Sequence, residues 1–179
     1  AIDNVIIKHD CQALLIVKSI SELNRLLIPV YDINQLSKRF ATVIFELTST
    51  GKLPATLLFL ESSEDSENSE DKEKKDISFM KREALSRLKR AGVADDQIRT
   101  NAVKVDSISE AVKEESESED LVILVEANAK ERKSFINKIR KEISDKTDCP
   151  LLIVLAKSEE EEKEREENTT EEVEEKKDQ

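Results

Sequence analysis

Four short stretches of this chain are almost wholly apolar: Arg25–Val30 beyond its first residue, Ala55–Leu60, Leu121–Val125 and Leu151–Leu155. Runs of five or six residues fall far short of the ~20 needed to cross a bilayer, and each reads as a β-strand covered on both faces. Such strands belong in a parallel sheet with helices on either side. The intervening residues supply those helices. Leu36, Phe40, Val43, Ile44 and Leu47 form one helical stripe that stops near Gly51, with Asp32 or Asn34 placed to cap its start. Ile77, Met80, Ala84, Leu85 and Leu88 form a second stripe, which Gly92 ends as a left-handed cap. Ile98–Val105 alternates as a further strand, Ile108, Ala111 and Val112 mark a third helix, and Phe135, Ile136, Ile139 and Ile143 mark a fourth. The expected fold class is α/β, a doubly wound five-stranded parallel sheet.

One phrase occurs twice. Asp10-Cys11-Gln12-Ala13-Leu14-Leu15-Ile16-Val17 returns as Asp148-Cys149-Pro150-Leu151-Leu152-Ile153-Val154, with the cysteines 138 positions apart. That offset is about one domain. Residues 1–18 therefore read as the last helix (Ile2, Val5, Ile6) and strand (Ala13–Val17) of a preceding copy, 19–24 as a connector, and 25–157 as a complete domain. The expectation is a piece of a longer polypeptide.

The net charge of −11 is unevenly placed. Residues 61–76 hold eight acids and three bases, and residues 158–179 hold twelve acids and four bases, which leaves +2 for everything else. The first segment reads as an acidic insertion and the second as an acidic tail, neither able to bury enough apolar surface to order itself. Neither has the Asp-x-Asp-x-Asp-Gly spacing of a calcium loop. Ser62, Ser63, Ser66 and Ser69 lie among the acids of the insertion, where phosphorylation would add charge to charge. With aromatic residues only 3% of the chain and a nearly neutral domain, there is neither basic stripe nor stacking platform, and no nucleic-acid partner is expected. His9 is the only histidine, so no Ser-His-Asp or Cys-His arrangement can form within the domain. Cys11 and Cys149 stand at the starts of matching strands and not in a Cys-x-x-Cys pair. They fit packing in a reducing compartment, and the expected location is the cytoplasm. No catalytic residue, metal site or cofactor is expected.

The segments Arg25-Leu26-Leu27-Ile28-Pro29-Val30, the helix ending at Gly51, Lys89-Arg90-Ala91-Gly92-Val93, Asp120-Leu121-Val122-Ile123-Leu124 and Cys149-Pro150-Leu151-Leu152-Ile153-Val154 resemble, in order and spacing, the universal stress protein domain. Members of that family that bind ATP resemble one another in an acidic residue directly after the first strand and a glycine-rich loop after the fourth. Here Tyr31 takes the first position, with Asp32 displaced by one, and Glu126-Ala127-Asn128-Ala129-Lys130-Glu131 replaces the loop. The only glycines are Gly51 and Gly92, both elsewhere. Side chains there block a phosphate and the acids repel it.

The ligand crevice of such a sheet lies outside the carboxyl ends of its first and fourth strands, where Tyr31, Asp32 and Glu126 are expected to project. A different small ligand or a cation is one reading of it, and a solvent-filled groove the other. The final strand is expected to present a bare edge at Leu151, Ile153 and Leu155, an invitation to pairing, and the family resemblance implies dimerisation there. Degenerate tandem domains with an acidic tail are similar to the cytoplasmic C-terminal parts of membrane transporters. The layout of Val105–Lys157 resembles the end of a cation–chloride cotransporter, a relative of the amino-acid permeases. That resemblance implies a non-catalytic regulatory or dimerisation domain whose partners are a second copy and the transport domain of the same polypeptide, touching the membrane only through that domain. The alternative is a soluble tandem stress protein whose nucleotide pocket lies in the preceding copy.

Overall fold

In the computed structural model, residues 12–16, 22–61, 77–105, 107–127 and 132–156 are described. Strands β1 (Gln12–Ile16), β2 (Arg25–Val30), β3 (Ala55–Glu61), β4 (Ile98–Lys104), β5 (Asp120–Ala127) and β6 (Leu151–Ala156) form one sheet in the order β1-β6-β5-β2-β3-β4. Strands β2 to β6 are the five expected parallel strands, and β1 lies antiparallel on β6. Helices α1 (Lys38–Ser49), α2 (Ile77–Arg90), α3 (Ile108–Glu115) and α4 (Arg132–Lys146) provide the crossovers.

The apolar strands have a simple explanation in the two cores. Leu26, Ile28, Leu57 and Phe59 point to one face and meet Phe40 and Ile44 of α1 and Met80, Ala84 and Leu88 of α2. Leu27 and Leu58 point to the other and meet Ala111 and Val112 of α3 and Ile139 and Ile143 of α4. Strand side chains alternate between faces, so two helix layers demand apolar residues at every position. Each large side chain so buried contributes about 1.5–3 kcal/mol.

Local chemistry refines several boundaries. Asp32 caps a 3-10 turn at Ile33–Gln35, whereas α1 is capped by Ser37, whose Oγ accepts from the Phe40 N–H. The single cap expected from sequence is thus two caps in series. At the end of α2, Gly92 has φ +100, its N–H donates to Lys89 O, and the Val93 N–H reaches back to Leu88 O. That is the bonding pattern of a glycine-terminated helix, as its position in the sequence implies.

The central seam is short. β2 and β5 pair only over Arg25–Leu27 and Asp120–Val122, although β2 runs on to Val30 and β5 to Ala127. Leu26 N–H bonds on the β3 side, to Pro54 O, so by alternation the missing N–H of Pro29 falls on the β5 side. A proline at that position ends the ladder and lets the carboxyl ends of the two strands separate.

The edge of β6 departs from expectation. Leu151, Ile153 and Leu155 do not border an open edge, because β1 occupies it with the register Gln12↔Leu155, Leu14↔Ile153 and Ile16↔Leu151. Unpaired N–H and C=O groups along β6 are satisfied by the nearest strand of the same chain. The central pairs are Leu14↔Ile153 and Leu15↔Leu152. Since the repeated phrase equates Leu14 with Leu152 and Leu15 with Ile153, the two copies face each other about a local two-fold axis at the middle of the strands. Ile2, Val5, Ile6, His9 and Cys11, the serines of the insertion, and residues 157–179 lie outside the described residues.

Candidate functional site

The gap opened by Pro29 lies at the carboxyl ends of β2 and β5, where a ligand crevice is expected in a doubly wound sheet. Its own side chains occupy it. The half-buried Tyr31 crosses the gap and donates its hydroxyl proton to Val125 O at 2.6 Å. Gln35, 1% exposed, sits beneath the turn. Its Oε1 accepts from the N–H groups of Tyr31 at 2.8 Å and Asp32 at 2.9 Å, and its Nε2 donates to Pro29 O at 3.3 Å. Asp32 Oδ1 accepts from Asn34 N–H at 3.0 Å.

Among the described residues, the groups that would greet a ligand from this turn are therefore engaged. Two consecutive backbone N–H groups would suit an anion, but here both face an amide oxygen. Asp32, read from sequence as a displaced crevice acid, is committed to its own turn. Tyr31 lies across the seam, and Asp32 lies in the turn that follows it. Glu126 is placed by its backbone alone, in β5 opposite Leu155, and residues 128–131 lie outside the described residues.

Sequence reading missed three features. At the amino end of the same seam, Arg25 donates Nε to Asp120 Oδ1 at 2.9 Å and Nη2 to both Asp120 Oδ2 and Glu115 O. Asp120, 2% exposed, also accepts from Glu117 N–H at 2.9 Å. The hydrogen bond to Asp120 raises the Arg25 pKa, overcoming the opposing effect of burial, and the charges of Asp120, Glu117 and Glu115 add to it. The signal was present in the sequence as opposite charges opening two apolar runs, Arg25-Leu-Leu-Ile and Asp120-Leu-Val-Ile.

The second feature is a serine–lysine contact between α3 and α4. Ser109 Oγ donates to Glu142 Oε2 at 2.8 Å and accepts from Lys146 Nζ at 3.2 Å. Ser109 is 0% exposed and its proton is already given to Glu142, so the cluster clasps two helices and presents no nucleophile. Cys149 is likewise buried, its thiol donating to Glu117 O at 3.0 Å. Among the described residues no three or more His, Cys, Asp or Glu side chains are grouped to hold a metal ion, and no helix is long and apolar enough to cross a membrane.

The third feature is a pair of concave surfaces beside α2. One, of about 580 Å³, runs between α1 and α2 and includes Lys38, Thr42, Glu83, Arg87 and Arg90 in its walls. The other, of about 690 Å³, is formed by Arg82, Leu85, Ser86, Lys89 and Arg90.

No family profile matches the chain, and no curated protein matches it. Solved structures do. A universal stress protein crystallised in complex with cAMP superposes with TM-score 0.50 at 14% identity, over 74% of this chain and 97% of that one. A universal stress family protein from Burkholderia pseudomallei matches more loosely, with TM-score 0.44 at 16% identity over 75% and 98% of the two chains. With the first of these the chain shares its fold: an α/β domain of the universal stress protein type.

Proposed function

We propose that this chain is a non-catalytic regulatory and assembly domain of the universal stress type, cytoplasmic, and attached to a membrane transporter as its C-terminal portion. The observation that carries the reading is the occupied crevice: Tyr31 bridging to Val125 O, with Gln35 holding the N–H groups of Tyr31 and Asp32. A site whose donors are already bonded must lose those bonds to accept a phosphate, and each buried group left unpaired costs about 1–3 kcal/mol. What remains for such a domain is contact with other protein surfaces. The antiparallel pairing of the two repeated strands within the chain supports this, because there the edge of one such strand is covered by the other. In that reading β1 belongs to a preceding copy, and pairing of domains sets the relative arrangement of attached transport units.

Isothermal titration of the full chain with ATP and with cAMP tests the reading. No heat is expected up to millimolar ligand, and micromolar binding abolished by a substitution at Tyr31 overturns it. Transporter attachment is tested separately by the sequence preceding Ala1, where several apolar spans of ~20 residues are expected. A second reading, a soluble tandem stress protein with its nucleotide pocket in the preceding copy, draws on the cAMP complex of the similar structure. It requires a glycine-rich loop in that preceding copy.

A further inference from the structure

On the side away from β1 the sheet ends in β4, which pairs with β3 along its whole length, from Ala55↔Ile98 to Glu61↔Lys104. No other described strand covers its outer edge. Backbone amides point alternately to the two sides of a strand, so one set in β4 faces β3 and the other faces outward. Two bonds identify the outward set. The Ile98 N–H donates to Asp95 O in the preceding 3-10 turn, and the Ala102 N–H donates to the side-chain Oδ1 of its neighbour Asn101 at 2.9 Å. Neither amide is bonded to β3. Ile98 and Ala102 are an even number of positions apart, so Thr100 and Lys104 also turn their amides outward, and Arg99, Asn101 and Val103 turn theirs to β3.

The side chain of Asn101 is held in this pose from its other end. It lies on the same face of the sheet as Val103, which packs against the core beneath α3 and α4. There its Nδ2 donates to Glu115 Oε2 at 2.6 Å, on the last residue of α3. One half-buried amide thus ties the edge strand to a helix through its nitrogen and closes the outward donor of the next residue through its oxygen.

We propose that Asn101 guards this edge: by capping Ala102 it keeps β4 from pairing with the β4 of a second copy. The chain already contains a joint of that kind at the other end of its sheet, where β1 and β6, strands of like sequence, lie antiparallel. A second β4 brought up by a two-fold axis would have to place carbonyls opposite the outward amides of Thr100, Ala102 and Lys104. The middle one is taken, and the group that takes it lies where the partner's carbonyl belongs. Exposed Arg99 and Lys104 toward the two ends of the strand reinforce the guard, as charged residues do on native sheet edges. The inference is independent of the crevice and of any attached transport unit, since it concerns the backbone of one edge strand.

The test uses the full chain and the variant Asn101→Val, which frees the Ala102 amide and suits a strand. By light scattering after gel filtration, the mass of N101V is expected to rise with concentration to at least twice that of the parent. Asn101→Ala frees the same amide and supplies a second reading should the valine variant fold poorly. Thr100→Pro locates the contact: it deletes an outward N–H, a place where an edge strand tolerates proline, and N101V/T100P is expected to return to the mass of the parent. Amide exchange followed by NMR in dilute solution reads the cap itself, with Ala102 about fivefold slower in the parent than in N101V, the effect of one ordinary hydrogen bond. Masses of N101V and N101A equal to the parent's overturn the proposal. So does a double variant that still associates, because the contact then lies elsewhere, and so does an Ala102 amide that exchanges equally fast in the parent and in dilute N101V.

Discussion

Removal of the Asp120 carboxylate tests whether the amino end of the β2–β5 seam is held by charge. Asp120 accepts two hydrogen bonds from Arg25 and one from Glu117 N–H, with only 3% of its side chain exposed. Breaking a buried pair by deleting one partner costs about 3–5 kcal/mol, since the survivor is left uncompensated. Arg25 keeps its bond to Glu115 O and is 26% exposed, so water offsets part of the loss and Asp120→Ala should cost about 3 kcal/mol. Arg25→Met strands the less exposed partner and should cost more, about 4 kcal/mol. The double variant R25M/D120L places apolar groups opposite each other on neighbouring strands and should lie within about 1 kcal/mol of the parent. The coupling energy from the cycle is then several kcal/mol. Urea unfolding of all four proteins, followed by circular dichroism, provides the numbers, with m expected to stay constant. Arg25 has a raised pKa in the folded state, so its contribution is full below the unfolded value and is lost only as pH rises through the folded one. The coupling should therefore be the same at pH 7 and pH 10. Single variants that each cost under about 0.5 kcal/mol, the range of an ordinary surface substitution, refute the reasoning.

The remaining predictions concern the crevice, a helix end and the sheet edge. Tyr31→Phe should cost about 1–2 kcal/mol in urea unfolding, because Val125 O loses its donor. Gln35→Leu should cost about 2–4 kcal/mol on the same measurement, leaving the N–H groups of Tyr31 and Asp32 unsatisfied. Gly92→Ala should cost about 2 kcal/mol by thermal or urea unfolding, from φ +100 and a new Cβ 3.2 Å from the Phe45 ring. Replacing Leu14 and Leu15 together by proline must remove at least one donor to β6, since donors alternate along a strand. The freed β6 edge should then give concentration-dependent self-association in light scattering, and a variant that stays monomeric and stable would mean that β1 is dispensable.

Much of the fold was legible in the sequence because burial on two faces leaves a plain signature. Arg25–Val30, Leu121–Val125 and Leu151–Leu155 needed no context to be read as strands covered on both faces, and Gly92 announced the end of a helix through a conformation it readily adopts. Long-range polar partners were harder, because their signal lies in pairs of residues far apart in the chain. Nothing local tells Arg25 that it will face Asp120, or Ser109 that Glu142 will take its proton. The crevice shows both limits. Missing glycines are visible in the sequence and led to the expectation of no phosphate cradle, but the role of Gln35, a polar residue beside an apolar stripe, became apparent only once the turn at Ile33–Gln35 was seen to fold it beneath Tyr31. The bare edge of β6 was misjudged for a related reason: an edge is a property of the whole sheet, and the strand that fills it comes from the opposite end of the sequence.

The brevity of the β2–β5 ladder has a mechanical consequence. Along that line the sheet divides into two wings of three strands, β1-β6-β5 and β2-β3-β4, joined by a few backbone bonds, the overlying helices and two pins, Arg25–Asp120 at one end and Tyr31–Val125 at the other. A load applied between the wings meets its least resistance there. Any event that draws either pin would let the halves pivot before a single strand unzips.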